Sequence, residues 1–205
     1  MTRKDPDKTR ETLLERAFQE MYMHGYQAAS LENILKDAGV TKGALYHHFG
    51  SKIELGYAVI DEIITGWFKT KWLEPLQGVE DPIEGIRGIM RALPAEAPEE
   101  AKHFGCPLNN LAQEMAPIDK GFQKRIVRIF DMWRVGIADA FRQGQKAKLV
   151  RSDVDPDDVA TFIIATFEGG ISLAKANQSL EILANYSRGL DLYLDSLRPK
   201  SRKAA

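Results

Sequence analysis

"GVTKGALYHHFGSK", residues 39–52, is the stretch on which the fold turns. Gly39 suits a left-handed helix stop, and Thr41 is a good N-cap for a helix of about two turns ending near His48. Ser51 with Glu54 ("SKIE", 51–54) is a capping box that opens a further helix. No acid occurs from Ala38 through Ile53, although the chain has 29 acids against 28 Lys and Arg. Gly43 and Ala44 leave the helix backbone nearly bare, while Lys42, Tyr46, His47, His48 and Lys52 supply hydrogen-bond donors. That combination suits close approach to a polyanion.

Working outward, apolar residues recur at helical spacing almost everywhere, and two-residue alternation is nearly absent. Upstream, Leu13, Leu14, Ala17, Phe18 and Met21 form one stripe, with Gly25 where a helix would end. Ser30 caps a short second helix carrying Leu31, Ile34 and Leu35. The units 31–38 and 42–48, joined through Gly39 and Val40, have the arrangement of a helix-turn-helix. In such a unit the second helix enters the DNA major groove, and free N–H groups at its N-terminus also favour phosphate. Leu45 and Phe49, four apart, face inward.

Downstream, a fourth helix is predicted from Ser51 to about Glu74 and a fifth over 81–93. Residues 94–105 read as a loop rich in Pro and acid. A short sixth helix starts at Pro107. A long helix follows on Phe122, Ile126, Phe130, Trp133, Ile137 and Phe141. Asp155 and Pro156 announce another, and the last runs from about Ser179 through Leu197. The fold class expected is all-α, with an N-terminal three-helix head and a larger C-terminal helical body, about nine helices in all.

Composition narrows the function classes. A net charge of -1 excludes a polybasic coat protein, but a local basic face survives because screening confines charge effects to about 8 Å. A single cysteine, Cys106, forms no intrachain disulfide and fits a reducing interior. The N-terminus lacks a signal-peptide core, and the longest apolar run, 159–167, is about half a membrane span. A cytoplasmic protein without membrane association is expected. A helical enzyme is the rival class. Against it, the histidines are only 24, 47, 48 and 103, and no nucleotide loop, metal-ligand spacing or cofactor motif appears. His47 and His48 point about 100° apart on a helix, with no carboxylate or cysteine within four residues, so no metal site is expected. A DNA-binding protein with no effector is the third class.

The span from Thr9 to Leu55 resembles the DNA-binding head of the TetR family of bacterial transcriptional repressors. The resemblance lies in Gly25, Ala38-Gly39-Val40, Gly43, Leu45-Tyr46, Phe49 and Lys52. Asn33 stands where the family often has an acid, and Leu35 where it often has Ala. The resemblance implies a palindromic double-stranded DNA operator. It implies base or nearby backbone contacts from Thr41, Lys42, Ala44 and His47, close approach at Gly43, and phosphate contacts from Tyr46, His48 and Lys52. Arg3, Lys4 and Arg10 would form an arm. It also implies a homodimer and a body that encloses a small-molecule effector. The domains expected are a DNA-binding head (1–52), an effector-binding and dimerisation domain (53–198) and a disordered basic tail (199–205).

Sequence is less specific in the body. Trp67, Phe68, Trp72, Met90, Phe104, Met115, Phe130 and Trp133 fill a core or wall a pocket. Asn109, Asn110, Gln113 and Glu114 supply its polar groups or form an exposed face. The candidate pocket set is Trp67, Phe104, Cys106, Asn110, Gln113, Glu114, Phe130 and Trp133, suited to a largely apolar effector. Cys106, between Gly105 and Pro107 at a helix start, is either a reactive thiolate that senses electrophiles or oxidants, or a small buried apolar residue. Phe162, Ile163, Phe167, Ile171 and Leu173, with Gly169-Gly170 and the 182–197 helix, are expected to form a two-fold four-helix seam.

Overall fold

The computed structural model of the chain describes residues 6–96, 103–179 and 181–199. Among these residues there is no strand, and nine helices follow one another: α1 (Pro6–His24), α2 (Leu31–Ala38), α3 (Lys42–His48), α4 (52–73), α5 (Pro82–Glu96), α6 (Pro107–Met115), α7 (Lys120–Lys146), α8 (Pro156–Asn177) and α9 (Glu181–Ser196). The all-α expectation holds. The fifth helix runs further than expected, through Pro94 to Glu96, so the first residues of the expected 94–105 loop are helical. The segment 97–102 and the tail beyond Pro199 lie outside the described residues.

Local chemistry sets the boundaries. Gly25 and Gly39 have φ of +81° and +61°, the left-handed region open to glycine. At the end of α2 the Gly39 N–H reaches the Lys36 carbonyl (3.1 Å) and the Val40 N–H the Leu35 carbonyl (3.1 Å). These two bonds turn the chain sharply into α3. Ser30, Thr41 and Ser51 each accept a backbone N–H three residues on, at 3.2–3.3 Å. Glu54 does not return to the cap itself but accepts from the Gly50 N–H, one residue earlier, at 2.8 Å. In α4, the turns Val59–Ile64 and Lys69–Leu73 are wide π turns, and the Thr65 hydroxyl donates to the Ile60 carbonyl five residues back.

The chain forms two compact units, Met1–Trp67 with Pro107–Ile129, and Phe68–Cys106 with Phe130–Ala205. The first therefore adds α6 and the start of α7 to the N-terminal helices, and residue 52 lies within it. Leu13, Ala17, Met21, Ile34, Leu45, Phe49, Leu55 and Ile60 are its buried core. Gly56 lets α4 pass beneath two aromatic rings: a Cβ there would lie 2.7 Å from Tyr26 and 2.9 Å from Phe122. The second unit is built on Trp72 and Trp133, both fully buried, with ring centroids 4.5 Å apart. Phe167 meets both edge-on, and Phe68 lies 4.9 Å from Trp133. Asp155 caps α8 by accepting the Asp157 N–H. The Asp157 carboxylate then binds Arg134 and Arg142 of α7. Arg87 of α5 ties to Asp195 and Asp191 of α9 and to Glu84 of its own helix, and the carboxylates of Asp195 and then Glu84 do most to raise its pKa above the ordinary arginine value.

Candidate nucleic-acid interface

The face of α3 follows from which side its two apolar residues take. Leu45 is fully buried and Phe49 nearly so, which turns Thr41, Lys42, Gly43, Tyr46 and His47 outward, all exposed. Ala44 and His48 are half-buried at the edges. A Cβ on Gly43 would meet nothing nearer than the Thr41 hydroxyl at 3.8 Å, so nothing inside the fold requires glycine here. Tyr46 is 44% exposed, with the Lys42 ammonium 5.9 Å from its ring centre. His47 and His48 touch edge to face at 5.1 Å. No group of side chains among the described residues is arranged to hold a metal ion.

Two candidate cations are engaged inside the fold. The Arg10 guanidinium makes two bonds to Glu62 (2.8 and 2.5 Å) and lies 5.1 Å over the Phe49 ring. This pairing raises the arginine pKa and lowers that of Glu62. Arg10 thus joins α1 to α4 instead of extending an arm, while Arg3 and Lys4 lie outside the described residues. The Lys52 ammonium donates to the Gln27 carbonyl at 3.1 Å and sits 5.0 Å over the Tyr26 ring. Burial lowers its pKa, against the opposing pull of Glu114 and Glu20.

The α2 cap explains Asn33. The nearly buried Glu20 carboxylate accepts the Ser30 N–H at 3.0 Å and the Asn33 amide at 3.1 Å. An acid at position 33 has no proton to give and would face like charge. Tyr57 of α4 ties to α7: its hydroxyl donates to Asp119 at 2.8 Å, while Asp119 caps α7 through the Phe122 N–H at 2.8 Å. Arg125 lies 4.0 Å over the Tyr57 ring and binds Asp61 at 2.9 Å. Gly121 leaves room for the Tyr57 hydroxyl.

The candidate pocket residues do not share one environment. Glu114 is spent in the first unit: its carboxylate accepts the Tyr26 N–H at 2.9 Å and the Gln27 N–H at 2.8 Å. Gln113 is exposed and donates to Asn109 at 3.5 Å, and Asn110 is half-buried on the same helix. Trp67 is exposed in the first unit. In the second unit, Phe130 stacks on Trp133 (6.4 Å, 16°), Phe104 is half-buried and Cys106 is buried. Phe167, assigned to the seam by sequence, is turned into the Trp72–Trp133 cluster. The indole N–H groups of Trp72 and Trp133 are buried with no hydrogen-bond partner among the described residues. An open cavity of about 660 Å³ lies by Gln145, Arg151 and Pro199, and none of the candidate pocket residues lines it.

Helix, left-handed glycine turn and a bare, acid-free second helix define a DNA-binding protein of the helix-turn-helix class. Comparison with known proteins agrees at both ends of the chain. Residues 13–59 match the bacterial regulatory proteins of the tetR family, and residues 82–188 match the C-terminal domain of LmrA/YxaF-like transcriptional regulators. The chain belongs to the TetR family of transcriptional regulators. It is 30% identical over 159 residues to the transcriptional repressor KstR2 of Mycobacterium tuberculosis, covering 75% of each chain. It is 27% identical over 184 residues to the transcriptional regulator AcuR of Cereibacter sphaeroides, covering 90% of this chain and 84% of that one. A crystal structure of a TetR regulatory protein from Rhodobacter sphaeroides superposes with a TM-score of 0.80 at 25% identity, over 89% of this chain and 97% of that chain.

Proposed function

We propose that the protein is a homodimeric repressor that binds a palindromic operator through 31–48 and is released by a small, largely apolar effector held by the C-terminal body. The exposed, acid-free face of α3, with Gly43 open to solvent, is the observation that carries this. Thr41, Lys42, Ala44 and His47 read bases or nearby backbone, and Tyr46 and His48 contact phosphate. Phosphate contacts set register and base contacts choose the site.

A short recognition helix reads few bases, so two copies one DNA turn apart (about 34 Å) are needed for an operator. The second unit offers the surface for pairing. Phe162, Ala165, Gly169, Leu173 and Ala176 lie three or four apart on the exposed side of α8. On α9, Gly189 and Leu192 are also exposed, Leu192 at 73%. A Cβ at Gly169 or Gly189 would meet nothing within 4 Å in the single chain, which leaves room for another backbone. The length and composition of α8 are also sufficient to cross a membrane; a second copy of the chain is the cover that suits a regulator. Exposed apolar stripes of this kind are characteristic of interfaces.

The effector region supported best is the Trp72, Trp133, Phe167, Phe68 and Phe130 cluster. Its two indole donors have no acceptor among the described residues, a state that costs about 1–3 kcal/mol each, so an effector with a carbonyl or carboxylate oxygen beside an apolar body suits it. Footprinting of the DNA upstream of the gene should show two protected half-sites. Leu192→Glu should give one chain's mass by light scattering in place of two, with the footprint lost. A dimer that survives Leu192→Glu would remove the seam from the proposal, and absence of any footprint would remove the operator.

A further inference from the structure

The polar bridge in the first unit links one candidate phosphate ligand to a helix outside the head. The α1–α2 turn presents the N–H groups of Tyr26 and Gln27 to the Glu114 carboxylate of α6. The carbonyl of the same Gln27 takes the Lys52 ammonium at 3.1 Å, and the Tyr26 ring lies beneath that ammonium. Gly25, at φ +81°, gives the turn its shape, and a Cβ there would fall 2.9 Å from the Glu114 carboxylate. The two ends of the bridge thus meet on one turn. Glu114 orders the peptide groups, and the ordered carbonyl holds the lysine. Glu20 is the second acid acting on Lys52, but its carboxylate is already bonded to Ser30 and Asn33.

Lys52 opens α4 next to the donors of the α3 face, yet its charge is turned back onto the protein. We propose that Lys52 is a switched phosphate ligand, held off the duplex by Glu114 through the Tyr26–Gln27 turn. On binding DNA the ammonium leaves the Gln27 carbonyl for a phosphate oxygen, and Glu114 opposes that exchange. Glu114 is a positioning residue here and touches no DNA. A shift of α6, which carries Glu114, would strengthen or relax the hold on one cation per head. The inference rests on the DNA-binding function and adds its regulation.

The test is a double-mutant cycle on the full chain, using Glu114→Gln and Lys52→Met. Affinity for a duplex carrying the upstream DNA, and for an unrelated duplex, is measured by fluorescence anisotropy across a salt series. Glu114→Gln should tighten binding to both duplexes by about threefold or more when Lys52 is present and leave it unchanged in the Lys52→Met background. Lys52→Met should flatten the salt dependence by about two units for two heads, since each neutralised phosphate contributes close to one. Equal effects of Glu114→Gln in both backgrounds, or weakening in both, would show that the bridge only supports the fold and would overturn the proposal. If the wild type binds no duplex, the DNA-binding function fails first, which is a separate outcome. A second measurement needs no variant at Glu114: the Lys52 side-chain carbon resonance of the wild type should move when duplex is added. A resonance that stays in place while DNA binds would also overturn the proposal.

Discussion

The α3 face and the aromatic cluster of the second unit treat apolar and polar groups in opposite ways. Leu45 of α3 and Phe49 just after it turn into the core and so aim the helix, and every exposed position of α3 is small or donates hydrogen bonds. In the cluster, Trp72 and Trp133 are buried whole, and their donors are enclosed with them, unspent. The first surface is complete in the free protein and waits for a rigid partner. The second encloses hydrogen-bonding capacity that a small ligand with an acceptor oxygen could use. Recognition of a duplex can therefore be read from one short segment, whereas the effector site proposed above would draw on side chains scattered from Phe68 to Phe167.

The largest effect should come from Gly43→Glu. Its side chain enters open space in the free chain, so the thermal melt should be unchanged. Operator affinity should fall about 100-fold or more, from roughly 1–3 kcal/mol lost at each of two heads. A melt that falls along with affinity would mean that glycine serves the fold, and the contrast between α3 and the core would be lost.

Gly56→Val should act in the reverse way. Tyr26 and Phe122 leave no room for a side chain, and overpacking of this kind costs about 1–3 kcal/mol. Denaturant unfolding should show that loss, and DNA binding by the remaining folded protein should be near normal. Asn33→Asp places an acid against Glu20. A loss of about 1–2 kcal/mol is expected, measured by the same unfolding curve. An unchanged midpoint would show that Asn33 is not needed as a donor.

The smallest effect concerns pH. The Phe122 N–H and the Tyr57 hydroxyl hold the Asp119 carboxyl below its ordinary pKa. A carboxyl lowered on folding stabilises the fold above its unfolded pKa, and that contribution is lost as pH falls through the lowered folded value. Stability of the wild type should therefore decline on acidification below about pH 4. The decline should be shallower in Tyr57→Phe, which cannot donate to Asp119. Equal slopes in the two proteins would remove Tyr57 from the cause.

Much of this was legible because backbone chemistry is local. Ser30, Gly39, Thr41 and Ser51 each state a boundary within four residues of themselves, and the structure places a cap or a left-handed turn at each one. The inward pair Leu45 and Phe49 was legible for the same reason. The partners of Arg10, Glu114 and Lys52 were not. Glu62 lies 52 residues from Arg10, and Gln27 lies 87 from Glu114 and 25 from Lys52. A cation near a donor-rich helix reads as a DNA ligand until its internal partner is known. Phe167 was misplaced because α8 is apolar on two faces, and periodicity alone does not say which face meets the core. The Asn33–Glu20 bond left one trace in sequence, an amide where an acid is frequent.

Docking of the α3 face on a duplex would proceed by close approach and charge. Its most direct measurement is the affinity of the wild-type chain for the DNA upstream of its own gene, taken across a salt series. Tight binding is expected, its logarithm falling linearly and steeply with the logarithm of salt concentration. Binding that is absent at every salt concentration, or that does not respond to salt, would contradict it.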